Sequence, residues 1–206
     1  MIKTFIFDLG RVIVPFDHEI GLQILEWHCA FLRDDIRAKI FASNELQLYQ
    51  MGKISSDEFF AAMKTALNVK ISFEEFAEIW NSSFTFMPLI DEAVIERLAE
   101  KYRLLILSDT NALHFEFIRS KFPILRHFHD FVLSHEVGFL KPSEEIFRIA
   151  VERAGCSADE CVFTDDLPAN VEAARKIGIH AFQFVSSEQF QNDVRELMAG
   201  EQKITF

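Results

Sequence analysis

Four groups of polar residues have the types and order that catalysis would use: Asp8, Ser108, Lys141 and the pair Asp165–Asp166. An aspartate carboxylate can attack phosphorus and form an aspartyl-phosphate, which divides a difficult hydrolysis into two easier steps. A serine hydroxyl, together with the amides of the turn after it, can hold the transferring oxygens. A lysine can neutralise both the carboxylate and a phosphoryl group.

Three of these residues, Asp8, Asp165 and Asp166, are carboxylates that would repel one another in a common pocket. Two like charges about 4 Å apart repel by roughly 4 kcal/mol at an effective dielectric constant near 20. Such a site either protonates one carboxylate or binds a cation. Oxygen ligands favour a hard ion, and Mg2+ typically combines one or two carboxylates with phosphate oxygens. With Mg2+ and Lys141 present, a small phosphorylated metabolite becomes a plausible partner.

The elements that must position these residues alternate along the chain. Apolar runs typical of buried strands lie at 3–7, 104–107, 131–133, 161–163 and 180–185. Segments with helical periodicity lie at 91–101, 112–121, 143–154 and 168–177. This alternation predicts an α/β fold with a parallel sheet and helices on both faces. In such sheets ligands bind at the carboxyl ends of the strands, where the polar residues stand.

Residues 18–87 break the alternation because they contain helix signatures and no convincing strand. Two capping boxes, Ser55 to Glu58 and Ser72 to Glu75, open apolar-periodic segments there. The pattern predicts an all-helical cap at 17–88, inserted into a core made of 1–16 and 89–206. The hinges are expected near 14–17 and 86–89.

Composition excludes several function classes. The chain has 206 residues with 50% hydrophobic and 26% charged residues, which favours one globular domain with an inserted subdomain. A formal net charge of -11 argues against nucleic-acid and anionic-membrane binding, since phosphate surfaces attract clustered cations. No apolar run is long enough for a membrane span. Three cysteines without a CxxC pair favour a cytoplasmic location. The oligomeric state stays open.

At this point the chain resembles the haloacid dehalogenase-like hydrolase superfamily. The matching segments are Phe5-Ile6-Phe7-Asp8-Leu9-Gly10, Leu107-Ser108-Asp109-Thr110-Asn111, Gly138-Phe139-Leu140-Lys141-Pro142 and Phe163-Thr164-Asp165-Asp166. Each segment alone is weakly specific, whereas four in this order are strong. The first two segments are similar to the branch that includes a bacterial glucose-1-phosphate phosphatase and the amino-terminal phosphatase domain of soluble epoxide hydrolases.

The resemblance implies a Rossmann-like core, a helical cap and Mg2+. Asp8 would be the catalytic nucleophile, assisted by Lys141. Asp8 and Asp166 would bind the metal through their side chains and Gly10 through its backbone carbonyl, with Asp165 a second-sphere or alternative ligand. The candidate substrate-binding residues are Ser108, Asp109, Asn111 and Arg11, although Arg11 equally fits an ordinary surface arginine.

Two departures from the family pattern stand out. Phosphatases of the superfamily usually carry a second aspartate two residues after the nucleophile, where this chain has Gly10. That second aspartate serves as a general acid–base in the family. Asp17, His18 or a metal-bound water are candidate substitutes in this chain. The other departure is Asp109, where relatives often have asparagine; the carboxylate either points away from the phosphate or reduces activity. Structural roles are expected for the histidines, of which His114 lies close to the site.

The leading hypothesis is therefore a Mg2+-dependent phosphomonoester hydrolase that forms an aspartyl-phosphate on Asp8. A first alternative is a 2-haloacid dehalogenase, against which Gly10 and the intact acidic pair argue. A second alternative is a catalytically weak phosphoacceptor or ligand-binding member of the same fold, suggested by Gly10 and Asp109.

Overall fold

The chain folds around a five-stranded parallel sheet. The computed structural model describes residues 1–202, and among these the strand order is β3-β2-β1-β4-β5. The strands are β1 (Thr4–Phe7), β2 (Arg103–Ser108), β3 (Asp130–Leu133), β4 (Cys161–Asp165) and β5 (His180–Gln183). The central position of β1 places the residue after it, Asp8, between the ends of β2 and β4.

The central strands β1, β2 and β4 are buried on both faces, which explains why they are largely apolar. Phe5 and Phe7 point to one face, where Phe7 packs edge-on against Phe128 at 5.7 Å. Ile6 points to the other face and shares a cluster with Phe163 and other residues of β2 and β4. The alternation of side chains along β1 therefore supplies both halves of the core.

The helices that follow β1 along the chain form two groups, one before β2 and one after it. Six helices lie between β1 and β2: α1 (His18–Glu26), α2 (Arg33–Phe41), α3 (Asn44–Gln50), α4 (Ser56–Leu67), α5 (Phe73–Asn81) and α6 (Glu92–Ala99). Five more helices follow: α7 (Ala112–Lys121), α8 (Ser134–Val137), α9 (Glu144–Ala154), α10 (Pro168–Lys176) and α11 (Ser187–Gln202). The predicted α/β fold with a parallel sheet is confirmed.

Helices α1–α5, called the helical insert below, have a hydrophobic cluster of their own. Its members include Leu22, Ile40, Phe59 and Phe76. The two predicted capping boxes are present, and they begin α4 and α5 at Ser55 and Ser72. Because the insert buries its apolar side chains largely against each other, it can keep its shape while resting on the sheet. The division at 17–88 itself stays a prediction.

Two adjacent stretches of chain join the insert to the sheet. Asp17 donates its backbone N–H to the carbonyl of Ser83 at 2.8 Å, and Leu89 donates to Ile13 at 2.9 Å. A bridge between Phe16 and Phe84 lies between these bonds. The segments that enter and leave the insert therefore run side by side, close to the predicted hinges.

Strand β3 is an edge strand of the sheet. The backbone N–H and carbonyl of its residue Phe131 are hydrogen-bonded to side chains. Its N–H donates to Asp130 Oδ1 at 2.8 Å, and its carbonyl accepts from Arg153 Nη1 at 2.7 Å. The backbone N–H and carbonyl of Phe131 are thus both hydrogen-bonded within the chain.

The sequence-based prediction missed α8 and α11. Helix α8 has four residues, too few for a periodic pattern. Helix α11 does carry apolar residues at helical spacing, Phe190, Val194, Leu197 and Met198, which pack on the core. None of the helices within residues 1–202 is long and apolar enough to cross a bilayer.

Candidate active site

The predicted polar residues meet at the carboxyl edge of the three central strands. Asp8 follows β1, Ser108 ends β2 and Asp165 ends β4. Asp8 and Ser108 are 8% and 3% exposed, and Asp165 is fully buried. A parallel sheet places these strand ends side by side, so residues far apart in sequence become neighbours.

Lys141 occupies the centre of this group. Its Nζ donates to Asp8 Oδ1 at 2.7 Å, to Asp165 Oδ2 at 2.6 Å and to the carbonyl of Leu107 at 3.1 Å. The three donors of the ammonium group thus have three acceptors, which fixes its position. The lysine holds the two buried carboxylates apart while it neutralises part of their charge.

Both carboxylate oxygens of Asp165 already accept hydrogen bonds within the protein, which leaves little of the carboxylate free to bind a metal. Besides Lys141, both of its oxygens accept from Asn170 Nδ2 at 3.0 Å, and Oδ1 accepts from the backbone N–H of Leu167 at 2.8 Å. These bonds favour a role for Asp165 in orienting Lys141. Of the two roles expected for Asp165, this is the second-sphere role and not that of a metal ligand. Asn170 lies in the first turn of α10 and is buried.

Asp8, Asp165 and Asp166 form a cluster in which one oxygen from each lies within 4.8 Å of the others. Asp109 adds a fourth carboxylate nearby, whereas the cationic side chains are Lys141 and Arg11, whose Nη1 is 3.9 Å from Asp166 Oδ2. With all four carboxylates ionised, the formal charges leave an excess of two negative units. An all-oxygen donor set with this excess fits a divalent hard cation.

Burial controls the ionisation of the central pair. Removal from water raises the pKa of Asp8 to about 7, against the opposing effect of the Lys141 charge. Burial by itself would lower the pKa of Lys141, but the neighbouring Asp8, Asp165 and Asp109 outweigh it and the net shift is upward. The lysine is therefore a permanent cation at this position.

The turn from Ser108 to Asn111 connects β2 to α7. Its Thr110 is held through both backbone groups: the N–H donates to Ser134 Oγ at 2.9 Å, and the carbonyl accepts from the same hydroxyl at 3.0 Å. Ser108, at 3% exposed, stands at the start of the turn. The arrangement gives a fixed turn that begins with a serine at the same edge of the sheet as Asp8.

Two of the predicted substrate-binding side chains have structural partners. Asp109 Oδ1 accepts from the backbone N–H of Lys141 at 2.9 Å, and burial raises the pKa of this carboxyl. Asn111 is 1% exposed, and its Oδ1 caps α7 by accepting from the N–H of His114 at 3.1 Å. Both side chains shape the site, and their contact with a substrate stays a prediction.

Arg11 lies at the rim of the site. Its Nε donates to the carbonyl of Phe16 at 3.2 Å, and its backbone has a φ of 61°, in the left-handed region. The guanidinium near Asp166 is compatible with a substrate contact.

Gly10 leaves room for a larger side chain. A Cβ at this position would meet only Phe16, with its nearest atom 3.7 Å away, an ordinary contact. The candidate substitute acids are engaged elsewhere. Asp17 Oδ1 accepts from the N–H of Glu19, beginning α1, and the His18 ring pairs with Glu19 at 3.1 Å.

The chain matches a known family of proteins along most of its length. The sequence profile of the haloacid dehalogenase-like hydrolases matches residues 2–178, and the chain belongs to this family. The resemblance inferred from the four sequence segments is confirmed.

Relatives within the family cover most of the chain. D-ribitol-5-phosphate phosphatase of Bacteroides thetaiotaomicron is 28% identical over 195 residues, which make up 89% of this chain and 92% of the relative. A crystal structure of a HAD family enzyme from the same organism, a magnesium complex, aligns with a TM-score of 0.84 and 26% identity, covering 94% of this chain and 98% of that one. Its complex with magnesium and inorganic phosphate aligns with a TM-score of 0.81 and 25% identity, covering 90% and 96% of the two chains.

Proposed function

We propose that the protein is a Mg2+-dependent phosphomonoester hydrolase that acts on a small phosphorylated metabolite through an aspartyl-phosphate on Asp8. The observation that carries this proposal is the buried ion pair between Asp8 and Lys141 within a cluster of carboxylates. A carboxylate held next to a permanent cation, beside a fixed turn, suits attack on a phosphoryl group.

The similarity to D-ribitol-5-phosphate phosphatase supports a sugar or polyol phosphate as the substrate. At 28% identity, this similarity supports the chemical class and leaves the individual substrate to be measured.

The residues that would hold Mg2+ are Asp8 and Asp166 through their carboxylates and Gly10 through its carbonyl. Asp165 would support the site by holding Lys141. The magnesium complexes of the related enzyme and the excess negative charge of the cluster both favour this ion. When bound, the ion neutralises charge on the carboxylates and on the phosphoryl oxygens and so lowers the barrier to attack.

In the first step, a carboxylate oxygen of Asp8 forms a bond to phosphorus and the bond to the ester oxygen breaks. Lys141 stabilises the charge that develops, while Ser108 and the amides of its turn hold the phosphoryl oxygens. The departing alkoxide takes a proton from water, since Gly10 offers no acid. In the second step, water hydrolyses the aspartyl-phosphate, which releases inorganic phosphate and restores Asp8.

The cap at 17–88 would cover this site and select the substrate, over a core formed by 1–16 and 89–206. The separate hydrophobic cluster of the helical insert and its paired connections to the sheet support this division. The composition supports a cytoplasmic enzyme that binds neither nucleic acid nor membrane.

The proposal is tested by assaying the purified protein with 4-nitrophenyl phosphate and a panel of sugar, polyol, nucleotide and acid phosphates, with Mg2+ and with EDTA. Wild type should hydrolyse several esters only with Mg2+, and Asp8→Asn should be inactive. Asp159→Asn, a change of the same kind at an exposed carboxylate beyond the other end of β4, should retain activity.

Three results would contradict the proposal. Equal rates for wild type and Asp8→Asn would remove Asp8 from the mechanism. Halide release from 2-haloacids that survives EDTA would favour a dehalogenase. A stable phosphorylated Asp8 on intact-mass analysis, with no turnover of any ester, would favour a phosphoacceptor.

A further inference from the structure

The first turn of α7 is capped partly by the helical insert. Backbone N–H groups at the start of a helix lack partners within it and need other acceptors. Asn111 Oδ1 serves the N–H of His114 at 3.1 Å, as a local cap does. The N–H of Leu113 instead donates to the hydroxyl of Tyr49 in α3, at 3.2 Å, from 64 positions away.

Tyr49 is rigidly placed for this bond. It is 2% exposed, and its ring stacks on Phe59 with centroids 4.5 Å apart and planes at 14°. Its hydroxyl has a second partner in Ser56 Oγ at 2.8 Å. Either hydroxyl can donate in this bond, and the Tyr49 oxygen accepts from Leu113 in both cases.

A second contact joins the insert to the same turn of α7. His114 Nε2 donates to the carbonyl of Trp80 in α5 at 3.1 Å, and the two rings stack with centroids 5.2 Å apart. The other ring nitrogen of His114, Nδ1, accepts from Asn111 Nδ2 at 3.2 Å. Through His114, the insert therefore also orients the asparagine that ends the turn.

A third contact joins the insert to α8, the helix whose Ser134 holds the turn through Thr110. Ser134, which bonds both backbone groups of Thr110, is followed by His135 in α8. A Cβ built at Gly52, after α3, would lie 1.9 Å from the His135 carbonyl oxygen, and Gly52 has a φ of 64°. The backbone of the insert thus lies directly on the helix that holds Thr110, which only glycine permits.

The geometry points to Tyr49 as a positioning residue: docking of the insert completes the capping of α7 and thereby fixes the turn 108–111 for phosphate binding. This inference rests on the proposed function, because it concerns the turn that would hold the phosphoryl oxygens. It makes phosphate affinity depend on a hydroxyl that touches neither phosphate nor metal.

The test compares Tyr49→Phe and Gly52→Ala with wild type. Tyr49→Phe keeps the ring that stacks on Phe59 and removes the hydroxyl, so Leu113 loses its acceptor. Ser56→Ala is the matched control, since it removes the hydroxyl on the other side of the phenol and leaves the Leu113 bond in place. The measurements are kcat and KM with 4-nitrophenyl phosphate and Mg2+, the Kd of inorganic phosphate with Mg2+, and hydrogen exchange of 108–116. All are made well below every variant's melting temperature.

We expect Tyr49→Phe to raise KM and the phosphate Kd about tenfold, the effect of leaving one part-buried N–H without an acceptor. Because the turn contacts the phosphoryl group in both ground and transition states, kcat should change little. Exchange of the first amides of α7 should become faster. Gly52→Ala should act in the same direction, and Ser56→Ala should behave as wild type.

A merely structural role predicts a different result, because a smaller folded fraction lowers kcat at constant KM and Kd. That result, or unchanged values in Tyr49→Phe, overturns this inference while an active wild type leaves the proposed function standing. A wild type that binds no phosphate and hydrolyses no ester overturns the proposed function and this inference with it.

Discussion

Lys141 Nζ lies 2.7 Å from Asp8 Oδ1, although the two residues are 133 positions apart in sequence. The same nitrogen is 2.6 Å from Asp165 Oδ2, so one ammonium group separates two buried carboxylates. Such an arrangement costs stability if the cation is removed, and it places positive charge where a phosphoryl group would gain from it.

Replacement of Lys141 by methionine should abolish phosphatase activity and destabilise the fold by about 3–5 kcal/mol at pH 7 without Mg2+. Removing one partner of a buried ion pair leaves uncompensated charge, and here two carboxylates would remain. Urea denaturation and a 4-nitrophenyl phosphate assay measure the two effects. Lys176→Met, at an exposed lysine paired with Glu172 on α10, should change both by little; similar losses in the two variants would contradict the prediction.

Mg2+ should stabilise the protein through the carboxylate cluster. A ligand at about a hundredfold its Kd contributes roughly 2.7 kcal/mol, which raises the Tm of a chain of this size by roughly 5–10 °C. Asp166→Asn should lose most of this shift, whereas Asp159→Asn should retain it. Thermal scans with Mg2+ and with EDTA provide the measurement, and an equal shift in all three proteins would place the metal elsewhere.

Gly10→Asp should speed hydrolysis of esters with poor leaving groups. The position has space for a side chain, and an acid there could protonate the departing oxygen, a contribution typically of about 10²–10⁴-fold. Rates for a series of phosphate esters of increasing leaving-group pKa should fall steeply in wild type and less steeply in Gly10→Asp. Gly10→Asn, of the same shape without the acidic proton, should follow wild type; a flattened series in this variant would exclude proton donation as the cause.

His114 should make stability depend on pH. Burial lowers its pKa to about 4, from 6.5 when exposed, so the folded state favours the neutral ring. Its contribution is complete above about pH 6.5 and is lost as pH falls towards 4, with about 2 kcal/mol lost by pH 5. His114→Gln should lack this component, so its unfolding free energy should approach that of wild type between pH 8 and pH 5. A constant difference across that range would show that His114 does not titrate as proposed.

The three central strands and the candidate nucleophile, Asp8, were accessible from sequence because each of these strands is a short, largely apolar run with a polar residue at or just after its carboxyl end. Thr4–Phe7 before Asp8 and Cys161–Asp165 before Asp166 both show this, and buried parallel strands need no alternating pattern. The helical insert was accessible for a similar reason, since Ser55 and Ser72 begin helices with local capping boxes.

Side-chain partners across long sequence separations were not accessible. Nothing in the sequence shows that Ser134 holds Thr110 or that Tyr49 caps α7. The direction of the Asp109 carboxylate, towards the N–H of Lys141, likewise depends on the path of the loop before Pro142. These contacts arise from packing between elements, which periodicity and capping patterns do not encode.

The bonds of Phe131 to Asp130 and Arg153 have a consequence for how copies of this protein can associate. An incoming strand needs vacant peptide groups along the border of a sheet, and here a neighbouring carboxylate and an arginine from α9 already satisfy one such pair. Strand addition beside β3 is therefore discouraged at this residue.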